Sequence, residues 1–144
     1  MAENESQTPP PVQPLPPNPV PPPVNPDSQA RTWNMLCHLS ALAGFVIPFG
    51  NILGPLIVWQ IKKNEIPSVD VHGKASVNFQ LTITIVVFIS AIVAFLTSFF
   101  CIGYLLMPVV AVIALAGIIL AIIAAIKANN GEDYKYPWTI NFVK

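Results

Sequence analysis

The sequence predicts an all-α membrane protein: a small bundle of about four hydrophobic helices behind a disordered proline-rich tail. A short N-terminal hairpin and two long transmembrane helices make up the four. Three observations lead there. Hydrophobic residues form 53% of the chain and charged residues only 10%, with a mean hydropathy of +0.61, whereas soluble domains carry about 25% charge. The stretches between Arg31 and Lys62 and between Lys74 and Lys127 contain no Asp, Glu, Lys or Arg. Eleven prolines crowd the segment from Thr8 to Pro26.

Charge and cysteine content exclude several classes. Seven Lys and Arg balance seven Asp and Glu, at a pI near 6.7, so no basic field exists for nucleic acid. Cys37 and Cys101 are too few for a disulfide framework or a zinc site. Residues 1–30 carry Glu3, Glu5 and Asp27 and no apolar core, unlike a secretory leader. The internal hydrophobic segments are therefore expected to direct insertion.

Residues 1–30 are expected to form the disordered tail and residues 31–144 the helical membrane domain. Proline fixes φ and removes a donor, so the tail favours polyproline II over helix or sheet. At about 3.1 Å per residue its proline-dense part reaches roughly 50–60 Å. Pro11–Pro14 and Pro16–Pro19 have the spacing that a proline-recognising domain reads. A stiff solvated spacer is the plainer account, because any tail this rich in proline contains that spacing by chance.

Residues 32–47 and 51–63 are predicted as two short helices folded into a hairpin. Pro48, Gly50 and Asn51 supply turn chemistry between them, and Pro55 is expected in the first turn of the second arm. Each arm reaches roughly 20–24 Å, short of a hydrocarbon core of about 30 Å. Residues 62–76 form a polar connection, with Ser68 or Asp70 as the expected N-cap and Asp70–Lys74 as an i,i+4 pair. Residues 75–100 and 104–127 are predicted as the long spans, with Pro108 expected in the first turn of the second. Small residues recur every fourth position at Ser90, Ala94 and Ser98, and again at Gly117, Ala121 and Ala125. Such faces let helices approach closely in lipid.

Lys and Arg are retained on the cytoplasmic side of membrane segments. Four segments place Arg31, Lys62, Lys63, Lys74, Lys127, Lys135 and Lys144 on one face; three segments would move Arg31 to the other. The expectation is a multi-pass protein of the bacterial inner membrane with both termini cytoplasmic. Trp33, Trp59, Tyr104, Tyr136 and Trp138 fall near the predicted boundaries, as interfacial aromatics do.

Several separated patches carry a family resemblance. They are His38-Leu39-Ser40, then Gly50-Asn51-Ile52-Leu53-Gly54-Pro55 with Trp59 and Lys62-Lys63. His72-Gly73-Lys74 and Asn78-Phe79-Gln80 follow, and the series ends with Lys127-Ala128-Asn129-Asn130-Gly131-Glu132 and Tyr136-Pro137. In this order the chain resembles the Tic-twenty-like family, in particular bacterial proteins grouped as domain of unknown function 4870, over roughly Trp33 to Lys144. The resemblance implies about four helical segments and, by analogy with plastid relatives, a link to protein import. Acidic residues that it would place beside His72 and Lys74 are here Val71 and Ala75.

The candidate functional residues are polar side chains in or beside apolar segments: Asn51, Gln60, His72, Lys74, Asn78 and Gln80. Amides in hydrocarbon need partners, so they line a polar path or bond neighbouring helices. His72 and Lys74, with Lys62 and Lys63, offer an edge for lipid headgroups or a partner, against the plainer role of fixing topology. His38 beside Cys37 suggests a catalytic pair, but adjacent helical residues diverge by about 100°, and no third group orients them. No metal cluster, nucleotide loop or carboxylate pair is present, so neither an enzyme nor a cofactor is expected. Three readings remain: a protein acting by helix–helix assembly with itself or a membrane complex, a small pore or transporter, and a scaffold displaying the proline-rich tail. The lipid bilayer is the partner common to all three.

Overall fold

The structure, a computed structural model, describes residues 26–144. Nearly all of the predicted proline-rich tail, residues 1–25, lies outside the described residues. Helix α1 spans Pro26–Leu39 and continues into a 3₁₀ turn at Ser40–Phe45; α2 spans Gly50–Lys62, α3 Pro67–Ser98 and α4 Ile102–Asn129. A segment without regular secondary structure follows to Lys144. No strand occurs among the described residues.

The helices begin and bend where local chemistry dictates, which differs from expectation at several points. The first begins at Pro26 with Asp27 in its opening turn, where proline and a carboxylate both favour a helix start. The hairpin turn is closed by bonds from the Val46 and Ile47 amides to the Ala43 carbonyl, at 3.0 and 2.9 Å. Phe49 caps α2 in the left-handed conformation, φ 59°. Because the helix restarts at Gly50, Pro55 falls inside α2 and is fully buried, rather than in its first turn. Helix α3 begins at Pro67, with extended Ile66 as its cap; neither Ser68 nor Asp70 plays that part. At the far end Cys101 repeats the device of Phe49, with φ 61°. It lets α4 restart at Ile102, so Pro108 is also interior to its helix.

Glycines allow the close crossings. A Cβ on Gly50 or Gly54 would lie 2.4 Å from the Ala43 carbonyl oxygen or 2.1 Å from that of Ser40. The Gly50-x-x-x-Gly54 face of α2 thus lies directly on the backbone of the 3₁₀ segment, as small-residue faces permit. Gly103 does the same between α4 and α3, where a Cβ would meet the Ala94 carbonyl at 1.9 Å.

Helices α3 and α4 pair along their length, and α1 packs on both while α2 packs on α3. Their 32 and 28 residues correspond to about 48 and 42 Å, well beyond a core of about 30 Å. The excess in α3 is its polar beginning, residues 67–80, which is enclosed by α1, the end of α2 and the C-terminal segment. Beyond Leu81, α3 presents Phe88, Ile89, Phe95 and Leu96 outward, while α4 presents Leu105, Val112, Leu115 and Ile119. Only 22% of each apolar window is buried.

The hairpin does not reach as far as α3 and α4. Its tip lies level with the middle of the apolar part of α3, where Phe45 lines a cleft with Val87, Phe88 and Ala91. Among the described helices, only α3 and α4 are long and apolar enough to cross a membrane. Both ends of the hairpin return to the same end of the α3–α4 pair.

Candidate functional site

Most of the polar side chains among the described residues converge at the end where α3 begins and α4 ends. Helix α2 docks there through Trp59, whose ring fills the space that Gly73 leaves open; a Cβ on Gly73 would meet Trp59 Cγ at 2.4 Å. Trp59 Nε1 donates to Asp70 Oδ1 at 2.8 Å, and Lys74 Nζ donates to Asp70 Oδ2 at 2.6 Å. The predicted Asp70–Lys74 pair therefore forms and also anchors Trp59, which commits Lys74 to an internal partner. Ser68 Oγ donates to Asn34 Oδ1 of α1 at 3.1 Å.

The C-terminal segment lies over this end as a strap. Asn78 Oδ1 accepts from the Val143 amide at 2.7 Å, and Asn78 Nδ2 donates to the Val143 carbonyl at 2.9 Å. One buried amide side chain thus pairs with a backbone unit as a β-partner would. Thr82 Oγ1 accepts from the Ile140 amide at 3.0 Å and donates to the Asn78 carbonyl at 2.8 Å. Tyr136 stacks on Phe79 with ring centroids 3.9 Å apart and an 8° tilt.

Beneath the strap a buried chain of polar groups connects α1, α3 and the loop after α4. Tyr136 Oη lies 2.9 Å from His38 Nδ1, and His38 Nε2 lies 3.1 Å from His72 Nδ1. His72 Nε2 is 3.3 Å from the carboxylate of Asp133. An ionised carboxylate accepts only, so the pattern assigns one direction. His72 carries its proton on Nε2, facing Asp133; His38 donates from Nε2 to His72, and Tyr136 donates to His38. Both imidazoles are neutral in this arrangement. His38 is fully buried, and burial, followed by repulsion from His72, lowers its pKa to about 3. Burial likewise raises the Tyr136 hydroxyl above its ordinary value. Burial also pushes the neighbouring Cys37 thiol up to about 12, so this cysteine is inert rather than nucleophilic.

A second polar group sits one step deeper. Asn51 Nδ2 donates to Thr84 Oγ1 at 2.8 Å and to Gln80 Oε1 at 3.3 Å, tying α2 to α3. Of the predicted polar candidates, Asn51 and Gln80 therefore meet, Asn78 holds the strap, His72 joins the buried chain, and Lys74 pairs with Asp70. Gln60 is exposed and joins none of these groups. The predicted packing faces turn inward: Ala94, Gly117, Ala121 and Ala125 are buried, and Ser90 and Ser98 are half-buried. No cluster of three or more metal-ligating side chains occurs among the described residues.

Sequence reasoning missed the strap. Thr139 to Val143 show no helical period, and their pairing is made with side chains of α3 rather than with a strand. It also passed over Gly50-x-x-x-Gly54 as a packing face, although that spacing was legible.

Two long outward-facing apolar helices closed at one end by a polar cap define a helical membrane-associated protein. The chain belongs to the MamF/MmsF family, the magnetosome magnetite crystal formation protein family, whose model matches residues 29–143. Searches of curated proteins and of solved structures find no match. The family match overturns the resemblance to Tic-twenty-like proteins and, with it, the link to protein import. The patches that suggested it include His38, Trp59, His72-Gly73-Lys74, Asn78-Phe79-Gln80 and Tyr136. These side chains build the cap.

Two predictions follow from the cap. Asn78→Leu removes the side-chain partner of the half-buried Val143 amide and carbonyl, at about 0.5–1.5 kcal/mol for each bond lost. Hydrogen exchange of residues 138–144 should accelerate in this variant while Cys37 stays inaccessible to thiol reagents; unchanged protection would refute the strap. The second concerns pH. The folded pKa of His38 lies below its unfolded value near 6.5, so the unfolded chain binds a proton that the fold refuses. Stability should be complete above about 6.5 and fall toward pH 3, by up to about 1.4 kcal/mol per unit. Thermal unfolding in detergent should show this slope, and His38→Gln should flatten it.

Proposed function

We propose that this protein is a non-catalytic, multi-pass component of the magnetosome membrane that serves magnetite crystal formation from the cytoplasmic side. It does so by assembling with other membrane components. One observation carries the reading: the distribution of charge. The described Lys, Arg, Asp and Glu side chains all lie at the capped end or in the loops around it. From Ala75 to Ile126 the chain has no ionisable acid or base except Cys101 and Tyr104. Retention of Lys and Arg on the cytoplasmic side makes the cap cytoplasmic and directs the tip at Phe99–Tyr104 into the compartment.

That tip offers no carboxylate, the oxygen donor that hard metal ions and their minerals favour. A role in crystal formation is therefore better supported through the cap than through direct contact with mineral. The absence of catalysis has similar support, because the buried His38, His72, Tyr136 and Asn78 are committed to one another and to the strap. The pore reading loses ground for the same reason, since both polar atoms of Asn78 are occupied by Val143. The small-residue faces are spent inside the bundle, so assembly has the cap and the large lipid-facing side chains to use.

Deletion in the host should alter magnetite crystals, seen by electron microscopy, while the membrane compartments still form. The full chain should restore them. Lys135→Glu with Lys144→Glu, on the exposed cap, should not, although the protein still inserts; Tyr104→Ala at the tip should. Normal crystals in the deletion strain would refute a role in their formation. Restoration by the cap variant but not the tip variant would place the working surface at the opposite end.

A further inference from the structure

We infer that the cleft between the hairpin, α3 and α4 is a binding site for one acyl chain of a phospholipid in the leaflet on the capped side. The inference rests on insertion of α3 and α4 in a bilayer and is independent of the role in crystal formation. The cleft has a volume of about 400 Å³. Small side chains leave it unfilled at Ala91 of α3 and Ala114 of α4, while Gly117 and Gly44, which also line it, are packed against Ile83 and Asn51. In hydrocarbon, an unfilled space of this size forfeits dispersion contacts along its whole lining.

Three features select the occupant. The open side of the cleft lies among Phe45, Phe88 and Ala91, which are exposed and continuous with the lipid-facing belt of α3. A lipid chain therefore enters sideways without crossing water. The depth also fits. From Gln80 to Ala91 the cleft follows α3 for about 16 Å, against a hydrocarbon thickness of about 15 Å for one leaflet.

Polarity gives the third. Asn51, Gln80 and Thr84 line the end nearest the cap, where the ester groups of that leaflet lie. Asn51 uses Gln80 and Thr84 as acceptors, which leaves the Gln80 amide N–H and the Thr84 O–H as donors. An ester carbonyl is a matching acceptor. A partner helix would find the cleft too short and half closed by the hairpin, and a polar solute would meet an apolar floor.

The test uses the full chain in phosphatidylethanolamine vesicles doped with a phospholipid bearing a diazirine on one acyl chain. Adducts mapped by mass spectrometry should concentrate at Val87, Ala91 and Ala114, about tenfold above the lipid-facing controls Leu96 and Leu115. Ala91→Leu and Ala114→Leu, made separately, should each lower the cleft adducts about tenfold while Cys37 stays protected, which shows that the fold survives. Adducts spread evenly over the apolar surface would overturn the proposal, as would leucine variants that label like the parent. Labelling by a diazirine fatty acid but not by the phospholipid would overturn the assignment to a phospholipid. Cleft crosslinks between two protein chains would show the site to be a helix interface instead, and would equally overturn it.

Discussion

The fold follows from one constraint: a polar group buried away from water, whether by lipid or by the protein itself, needs a partner. Nearly all the amide, hydroxyl and imidazole groups that α3 carries near its start find a partner within the chain, the buried Ser76 hydroxyl being an exception. The partners come from elements remote in sequence. Asn34 and His38 of α1 meet Ser68 and His72; Asn51 of α2 meets Gln80 and Thr84; Val143 and Ile140 meet Asn78 and Thr82. These pairings gather α1, α2 and the C-terminal strap around one end of α3. At the other end the Thr97 and Ser98 hydroxyls are satisfied by their own helix backbone, so no further element is drawn in.

The same constraint explains why glycine and alanine appear where the backbones cross. Apolar side chains gain little by meeting each other in lipid, so affinity between elements comes from contact at short range. Gly50 and Gly54 bring α2 onto the 3₁₀ segment, Gly73 admits the Trp59 ring, and Gly103 closes α3 against α4. With its small faces consumed internally, the bundle shows lipid a surface of Phe, Leu, Ile and Val. The cleft lined by Ala91 and Ala114 is the exception, a place where small side chains leave space unfilled.

Much of this was legible in the sequence. The charge-free run from Ala75 to Ile126 announced the two long helices, and Pro48 with Gly50 announced the hairpin turn. The helix starts were less legible. Phe49 and Cys101 adopt left-handed φ values that no residue preference signals, and this moved Pro55 and Pro108 into helix interiors. In the site, Asn78 and Gln80 stood out as buried amides, but not their partners. A side chain that pairs with a backbone unit 65 residues away leaves no local pattern. Cys37 and His38 were read as diverging too far on a helix to act as a pair; the link from His38 to Tyr136 depended on a strap with no periodicity to announce it.

The protein is asymmetric: a folded polar cap at one end and an uncharged tip at the other, joined by two apolar helices. The two cysteines report on it directly, since Cys37 is buried in the cap and Cys101 is exposed at the tip. With the cap facing the cytoplasm as proposed, a membrane-impermeant maleimide applied to intact isolated magnetosomes should modify neither cysteine; opening the membrane should expose Cys101 alone, and Cys37 should react only after denaturation. Labelling of Cys37 in the native protein, or of Cys101 before the membrane is opened, would contradict the account.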